Sequence, residues 1–226
     1  MAELQLYDKL SQFPLFYGMS HNDIMELVAH SRLDFKKMKA DETIVKADTT
    51  CESLIMLTNG QIESTTESAD KSFAVEEVFN SPYTLQAEQL FGSNQRYIST
   101  FTTSTRCNFI VIDKKELISM FRKFEIIRYN YLNMLANMTQ KKVRSTWQSN
   151  GSTERAHIVR FMSNHCLRPA GHKVYHILMK RLAEEINTTR RNLSEELNRM
   201  QDEGLVSLTR GQITVPFLER LISQLV

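Results

Sequence analysis

The sequence lacks most of what would make it an enzyme, a membrane protein or a secreted scaffold. Its three cysteines, Cys51, Cys107 and Cys166, are widely scattered. That spacing suits reduced, buried thiols rather than a disulfide framework, and no N-terminal cysteine cluster is present to ligate an iron–sulfur group. Glycine is scarce, seven in 226 residues, and forms neither a P-loop nor a dinucleotide fingerprint. No histidine lies between Leu33 and Ile112, so the two-histidine, one-carboxylate triad of jelly-roll oxygenases is missing. There is no nucleophile–base pair, and the chain is not expected to be an enzyme. No apolar run approaches the ~18 residues of a membrane span. The opening MAELQLYDKL lacks a basic-then-apolar signal layout, so a cytoplasmic protein without membrane contact is expected.

What is present is ordinary in amount and uneven in placement. Hydrophobic residues at 42% and charged ones at 24% are those of a globular protein large enough for two domains. Residues 1–140 carry 14 Lys/Arg against 18 Asp/Glu, whereas residues 141–226 carry 14 against 8. Between Lys141 and Arg181 nine basic residues face one acid, Glu154. A basic half beside an acidic half suits a phosphate backbone as partner.

The most informative stretch is Met179–Met200, MKRLAEEINTTRRNLSEELNRM. Met179, Leu182 and Ile186 fall on one helical face, and Leu193, Leu197 and Met200 on another. Between them, Asn187 tolerates a left-handed backbone and Thr188-Thr189 can cap the next helix. The spacing predicts a helix-turn-helix with small Ala183 at the close approach. Arg190-Arg191 then opens the second helix, whose first turn enters the major groove in this motif. Leu205–Leu208 and Ile213–Val215 read as two strands around Thr209-Arg210-Gly211-Gln212. This adds a wing whose tip, Arg210, would meet phosphate or the minor groove.

Upstream, residues 3–31 read as helical, with Ser20 as a cap. From Leu33 to Ile112 the pattern is short strands separated by turns, an antiparallel jelly roll, with a hairpin expected at Thr58-Asn59-Gly60-Gln61. Asp113 and Glu116 have capping-box spacing. A long helix then runs from Phe124 to about Trp147, with Ile127, Tyr131, Met134 and Met138 as an apolar seam expected to pair with a second copy. Ser149-Asn150-Gly151-Ser152 reads as a linker, Ser152 capping the helix that follows. The expected fold is α+β in consecutive segments. Residues 1–112 are expected to form the jelly roll with its flanking N-terminal helices, 113–148 a helical segment with the dimerisation helix, and 149–226 a winged helix-turn-helix.

This order resembles the bacterial cyclic-AMP receptor protein / fumarate-nitrate reductase regulator family (CRP/FNR), from about Phe13 to Val215. The likeness is most specific at Pro14-Leu15-Phe16, Leu57–Gly60, Glu154-Arg155 to Phe161 and Leu182 to Leu205. It implies a homodimeric transcription regulator on near-palindromic double-stranded DNA, with RNA polymerase as a further partner. Thr189 occupies the family's phosphate-contacting serine position, and Arg190 its guanine-reading arginine. Arg191 stands where many members have a base-reading glutamate, and Glu195 where some have a second arginine. Glu195 could also pair with Arg191 or Arg199. Thr188, Asn192 and Arg199 complete the residues expected at the DNA face.

The effector side carries over less well. Glu88 matches the family's ribose-binding acid, but Ala87 replaces a glycine. The phosphate-binding arginine position falls on Tyr97, or on Arg96 if the loop shifts by one. Glu88, Arg96 and Tyr97 therefore mark the effector pocket, cyclic AMP is not the expected ligand, and the cofactor is unknown. Aromatic and Met side chains beside the long helix could enclose haem, although core packing explains them equally. Cys166, His172 and His176, with His165 adjacent, could suggest a metal, but read better as a buried thiol and surface imidazoles. A different reading also fits: a small-molecule-binding jelly-roll protein, or an enzyme, whose C-terminal helices serve only dimerisation.

Overall fold

The computed structural model describes residues 2–147 and 153–224, so the expected linker at 149–152 lies outside the described residues. Contacts divide the chain into two units: residues 1–62 with 79–143, and residues 63–78 with 144–226. This cuts across the consecutive segments expected from the sequence, because a stretch from the middle of the strand-rich region folds with the C-terminal residues.

Unit one begins with α1 (Ala2–Leu10) and α2 (His21–His30). Ser20 caps α2 reciprocally: its Oγ accepts from Asp23 N at 3.2 Å, and Asp23 Oδ2 accepts from Ser20 N at 3.0 Å. The strands are β1 (Asp34–Met38), β2 (Thr43–Val45), β3 (Ser53–Asn59), β4 (Gln61–Glu67), β5 (Phe73–Asn80), β6 (Tyr83–Leu85), β7 (Thr100–Thr103) and β8 (Cys107–Asp113). β4 and β5 run across the boundary into unit two. The antiparallel sheet β1-β8-β3-β6 and the β2–β7 pair enclose Leu57, Phe101 and Phe109, all buried.

The Asn59–Gly60 turn is not the hairpin expected. β3 pairs with β8 and β6, while β4 belongs to a different sheet. A Cβ on Gly60 would lie 2.6 Å from Cys107 Sγ. Only glycine lets the backbone, at φ +104°, turn this corner between sheets.

Asp113 caps α3 (Lys114–Lys123) through Lys115 N at 2.7 Å. α4 (Glu125–Trp147) follows, and its seam divides in two. Ile127 and Tyr131 are 0% and 3% exposed, Tyr131 packing against Phe91 and Phe121 of its own unit. They are core residues, not partner contacts. Met134 is half-buried, and Met138 is exposed together with Tyr129, Leu132 and Val143.

Unit two contains α5 (Glu154–Asn164), β9 (Lys173–Ile177), α6 (Met179–Glu185), α7 (Arg190–Asp202), β10 (Ser207–Thr209), β11 (Gln212–Val215) and α8 (Leu218–Ser223). Thr153 caps α5, its Oγ1 accepting from Ala156 N at 3.2 Å, while Ser152, the expected cap, lies outside the described residues. Strands β10, β11, β9 and β5 lie side by side. Ile158, Val159, Leu182, Leu193, Leu197 and Met200 form the core with Val75 of β5. Each such side chain contributes roughly 1.5–3 kcal/mol by leaving water.

Candidate nucleic-acid interface

The helix pair has the local chemistry its sequence required. Asn187 adopts φ +54°, and Thr188 N donates to Ala183 O at 2.9 Å, closing α6. Thr189 Oγ1 accepts from Asn192 N at 3.2 Å and caps α7. Leu182, Ala183, Ile186, Leu193, Leu197 and Met200 are buried. With that face spent on packing, Arg190, Arg191 and Asn192 project into solvent on the first turn of α7. There the free N–H groups and the helix dipole also favour an anion.

Arg191 Nε donates to Glu195 Oε1 at 2.9 Å, and their side chains are 87% and 53% exposed. The shared bond and opposite charge hold the guanidinium's pKa above its ordinary value and the carboxyl's below. Arg199 lies a turn further on, 3.4 Å from Glu196 Oε2. Arg210 is exposed in the turn between β10 and β11, where Gly211 takes φ +75°. Gln201 Oε1 accepts from Leu208 N at 2.8 Å and ties the wing to α7.

Sequence reasoning missed one feature of this surface. Arg155 of α5 donates from Nε to Glu196 at 2.6 Å and from both terminal nitrogens to Glu203 at 2.8 and 2.6 Å. A bidentate guanidinium clamp fixes the orientation of α7 as well as its position. The clamp keeps the Glu203 carboxyl below the usual range. The available signal was Glu196 itself, an acid beside Leu193, Leu197 and Met200 on the apolar face, where a carboxylate needs a partner.

In unit one, Tyr97 and Arg96 each bond a backbone carbonyl, and Glu88 is desolvated. Tyr97, 3% exposed, donates to Ser53 O at 3.3 Å, and burial raises its phenol and the adjacent Cys51 thiol. Arg96 is exposed and donates to Asp48 O. Glu88 Oε2 is buried without a hydrogen-bond partner, and desolvation raises that carboxyl above its ordinary value. The neighbouring Gln86 spends its amide inside the loop, accepting from Ile98 N and donating to Ser99 Oγ, both at 3.0 Å. Tyr131 Oη donates to Ala87 O at 2.6 Å and closes the loop from the helix side. A cavity of about 440 Å³ opens in the roll beside Tyr97, with Lys36, Thr43, Lys46, Ser53 and Ile55 also lining it.

Among the described residues no three His, Cys, Asp or Glu side chains converge as a metal site. Cys166 donates to Ser163 O at 3.2 Å, and His176 lies 3.1 Å from Glu76. No helix among the described residues is long and apolar enough to cross a membrane.

Two family models match the chain: a cyclic nucleotide-binding domain over residues 35–124 and a Crp-like helix-turn-helix domain over 156–223. No curated protein sequence matches it. Among solved structures, the catabolite activator protein of Thermus thermophilus is similar at 14% identity and a TM-score of 0.50, over 95% of this chain and 100% of that one. The sensor domain of the transcriptional regulator DNR from Pseudomonas aeruginosa is similar at 15% identity and 0.51, over 67% of this chain and 98% of that one. At such identities the likeness is one of fold.

Proposed function

We propose that this chain, with a match to a cyclic nucleotide-binding domain followed by one to a Crp-like helix-turn-helix domain, is a CRP/FNR-type regulator that binds a specific DNA sequence as a homodimer in the cytoplasm. The observation that carries this reading is the first turn of α7. Three exposed polar residues, Arg190, Arg191 and Asn192, stand on a capped helix end whose opposite face is buried. A guanidinium there suits bidentate contact with guanine O6 and N7, while Thr188, Thr189 and Arg210 suit phosphate. Two copies joined along α4 through Tyr129, Leu132 and Val143 would present two such helices to a near-palindromic site, about 34 Å apart. RNA polymerase is the partner through which a bound regulator would act on transcription.

The roll senses a ligand other than cyclic AMP. A cyclic phosphate needs a guanidinium and backbone N–H groups at one spot. The resemblance puts Tyr97, or Arg96 if the loop shifts by one, at the arginine position; here Tyr97 donates to Ser53 O, Arg96 donates to Asp48 O at the surface, and Gln86 takes the Ile98 N–H.

Fluorescence anisotropy with duplexes selected from a genomic library tests the reading. We expect salt-dependent binding that the double variant Arg190→Ala/Arg191→Ala abolishes. No detectable binding at low salt, or binding indifferent to both substitutions, would overturn it.

A further inference from the structure

Residues 63–78 belong to unit two although residues 79–143, which follow them, fold with unit one. β5 runs antiparallel along β9, from Phe73 opposite Ile177 to Glu77 opposite Lys173. Alternate residues of β5 share a face, and Phe73, Val75 and Glu77 all use it. The Phe73 ring lies 5.4 Å from that of Phe161 and 5.1 Å from that of His165. Val75, 2% exposed, sits in the core among Ile158, Leu182 and Leu197.

Glu77 is the exceptional residue. Its side chain and that of Lys173 are both 0% exposed, with 3.2 Å between Oε1 and Nζ. The same carboxylate accepts from Leu167 N at 2.7 Å and Arg168 N at 3.2 Å, while Lys173 donates to Ala170 O at 2.7 Å. A charge carried out of water needs every one of these partners. The result is that a residue from the roll's stretch of sequence ties down the loop between α5 and β9. At the tip of the hairpin, Asp70 pairs with Arg181 of α6 at 3.2 Å. β9 is the strand through which this tie reaches the DNA face. Its other edge pairs with β11 of the wing, and its end leads into α6.

Building on the DNA-binding reading, we propose that Glu77 is a positioning residue for DNA recognition. Carried by the β4–β5 hairpin, it fixes the 166–171 loop and β9 and so holds the wing and the helix pair in reading register. β4 and β5 run unbroken across the boundary between units, at 62/63 and 78/79. The hairpin is therefore a covalent link between the two units, as α4 is at 143/144.

The test uses the full-length chain, a labelled duplex selected with the wild-type protein, and a random duplex of equal length. If the wild type selects no duplex, the DNA-binding reading itself fails, and this inference falls with it for that separate reason. Given a selected duplex, Glu77→Gln should weaken binding to it about tenfold, well below the variant's unfolding temperature, while binding to random duplex stays unchanged. The phosphate-contacting residues remain, but the register of the base-reading ones is lost. A merely structural role would lower both affinities together through loss of folded protein. Equal losses on the two duplexes, or binding to the selected duplex within twofold of wild type, overturn the proposal. If Glu77→Gln does not fold, the half-exposed Asp70 decides. At least a threefold loss on the selected duplex alone for Asp70→Ala upholds the proposal, and no loss overturns it.

Discussion

Arg191 Nε lies 2.9 Å from Glu195 Oε1, one turn along the same exposed face of α7. On the proposed DNA-binding reading, the carboxylate would compete with DNA phosphate for the guanidinium. Glu195→Ala should free Arg191, tighten binding to duplexes of any sequence, and steepen the dependence of log affinity on log salt by about one. An unchanged slope would show that Arg191 stays clear of the backbone.

Arg190 and Arg210 should separate base reading from phosphate contact. Arg190→Ala is expected to lose roughly 1–3 kcal/mol, concentrated at one base-pair position, because a bidentate contact to guanine is specific. Arg210→Ala should weaken all sequences alike. Affinities across a panel of single-base duplex variants measure both. A flat loss across the panel for Arg190→Ala would remove it from the base edge.

These residues were legible in the sequence because helical periodicity is local. Leu182, Ile186, Leu193 and Leu197 declare a face, and what projects from the other side follows. Other features depend on contacts that periodicity does not encode. The four-three spacing of Ile127, Tyr131 and Met134 signals burial without saying against what, and Phe91 and Phe121 supply the cover for Tyr131. Asn59–Gly60 carries the same turn chemistry whether the chain makes a hairpin or changes sheet, and the nearby Cys107 goes with the corner. The pairing of Glu77 with Lys173 joins residues nearly a hundred positions apart. No local pattern marks it beyond two charges on strands that otherwise alternate.

Leu132 should be needed for association and Ile127 for folding. Leu132 is 54% exposed on α4, whereas Ile127 is fully buried. Light scattering should find Leu132→Glu monomeric at micromolar concentration, with its unfolding midpoint little changed. Ile127→Ala should stay associated but lose about 2–5 kcal/mol of stability. The reverse pattern would place the partner on the Ile127 face.

Cyclic AMP should leave thermal stability untouched. A ligand present at a hundred times its Kd stabilises the folded state by about 2.7 kcal/mol, or several degrees for a chain of this size. With Tyr97 bonded to Ser53 O in the place of an arginine, millimolar cyclic AMP is expected to shift the midpoint by less than about a degree. A rise of several degrees would mean that the Tyr97 ring moves aside.

Glu88 should make the roll less stable as pH rises. Burial raises its carboxyl in the folded state, and Oε2 has no hydrogen-bond partner to offset the lost hydration. The unfolded chain releases this proton near pH 4.3, the folded one only at higher pH. Between those two values the folded state binds more protons, so stability falls with rising pH there and stays level above. The carboxyls of Asp23, Glu195, Glu203 and Glu219 are shifted the opposite way, as is that of Asp70, lowered to about 2. They make the whole protein more stable as pH rises out of the acid range, masking Glu88 in any single titration. Glu88→Gln keeps the shape, removes the charge and leaves those groups as they are, so the difference between the two proteins isolates the one carboxyl. The variant should unfold at a higher temperature than wild type at pH 7, with the gap closing towards pH 4. Parallel curves across that range would mean that the Glu88 carboxylate is solvated, and that the roll carries no cost for holding it.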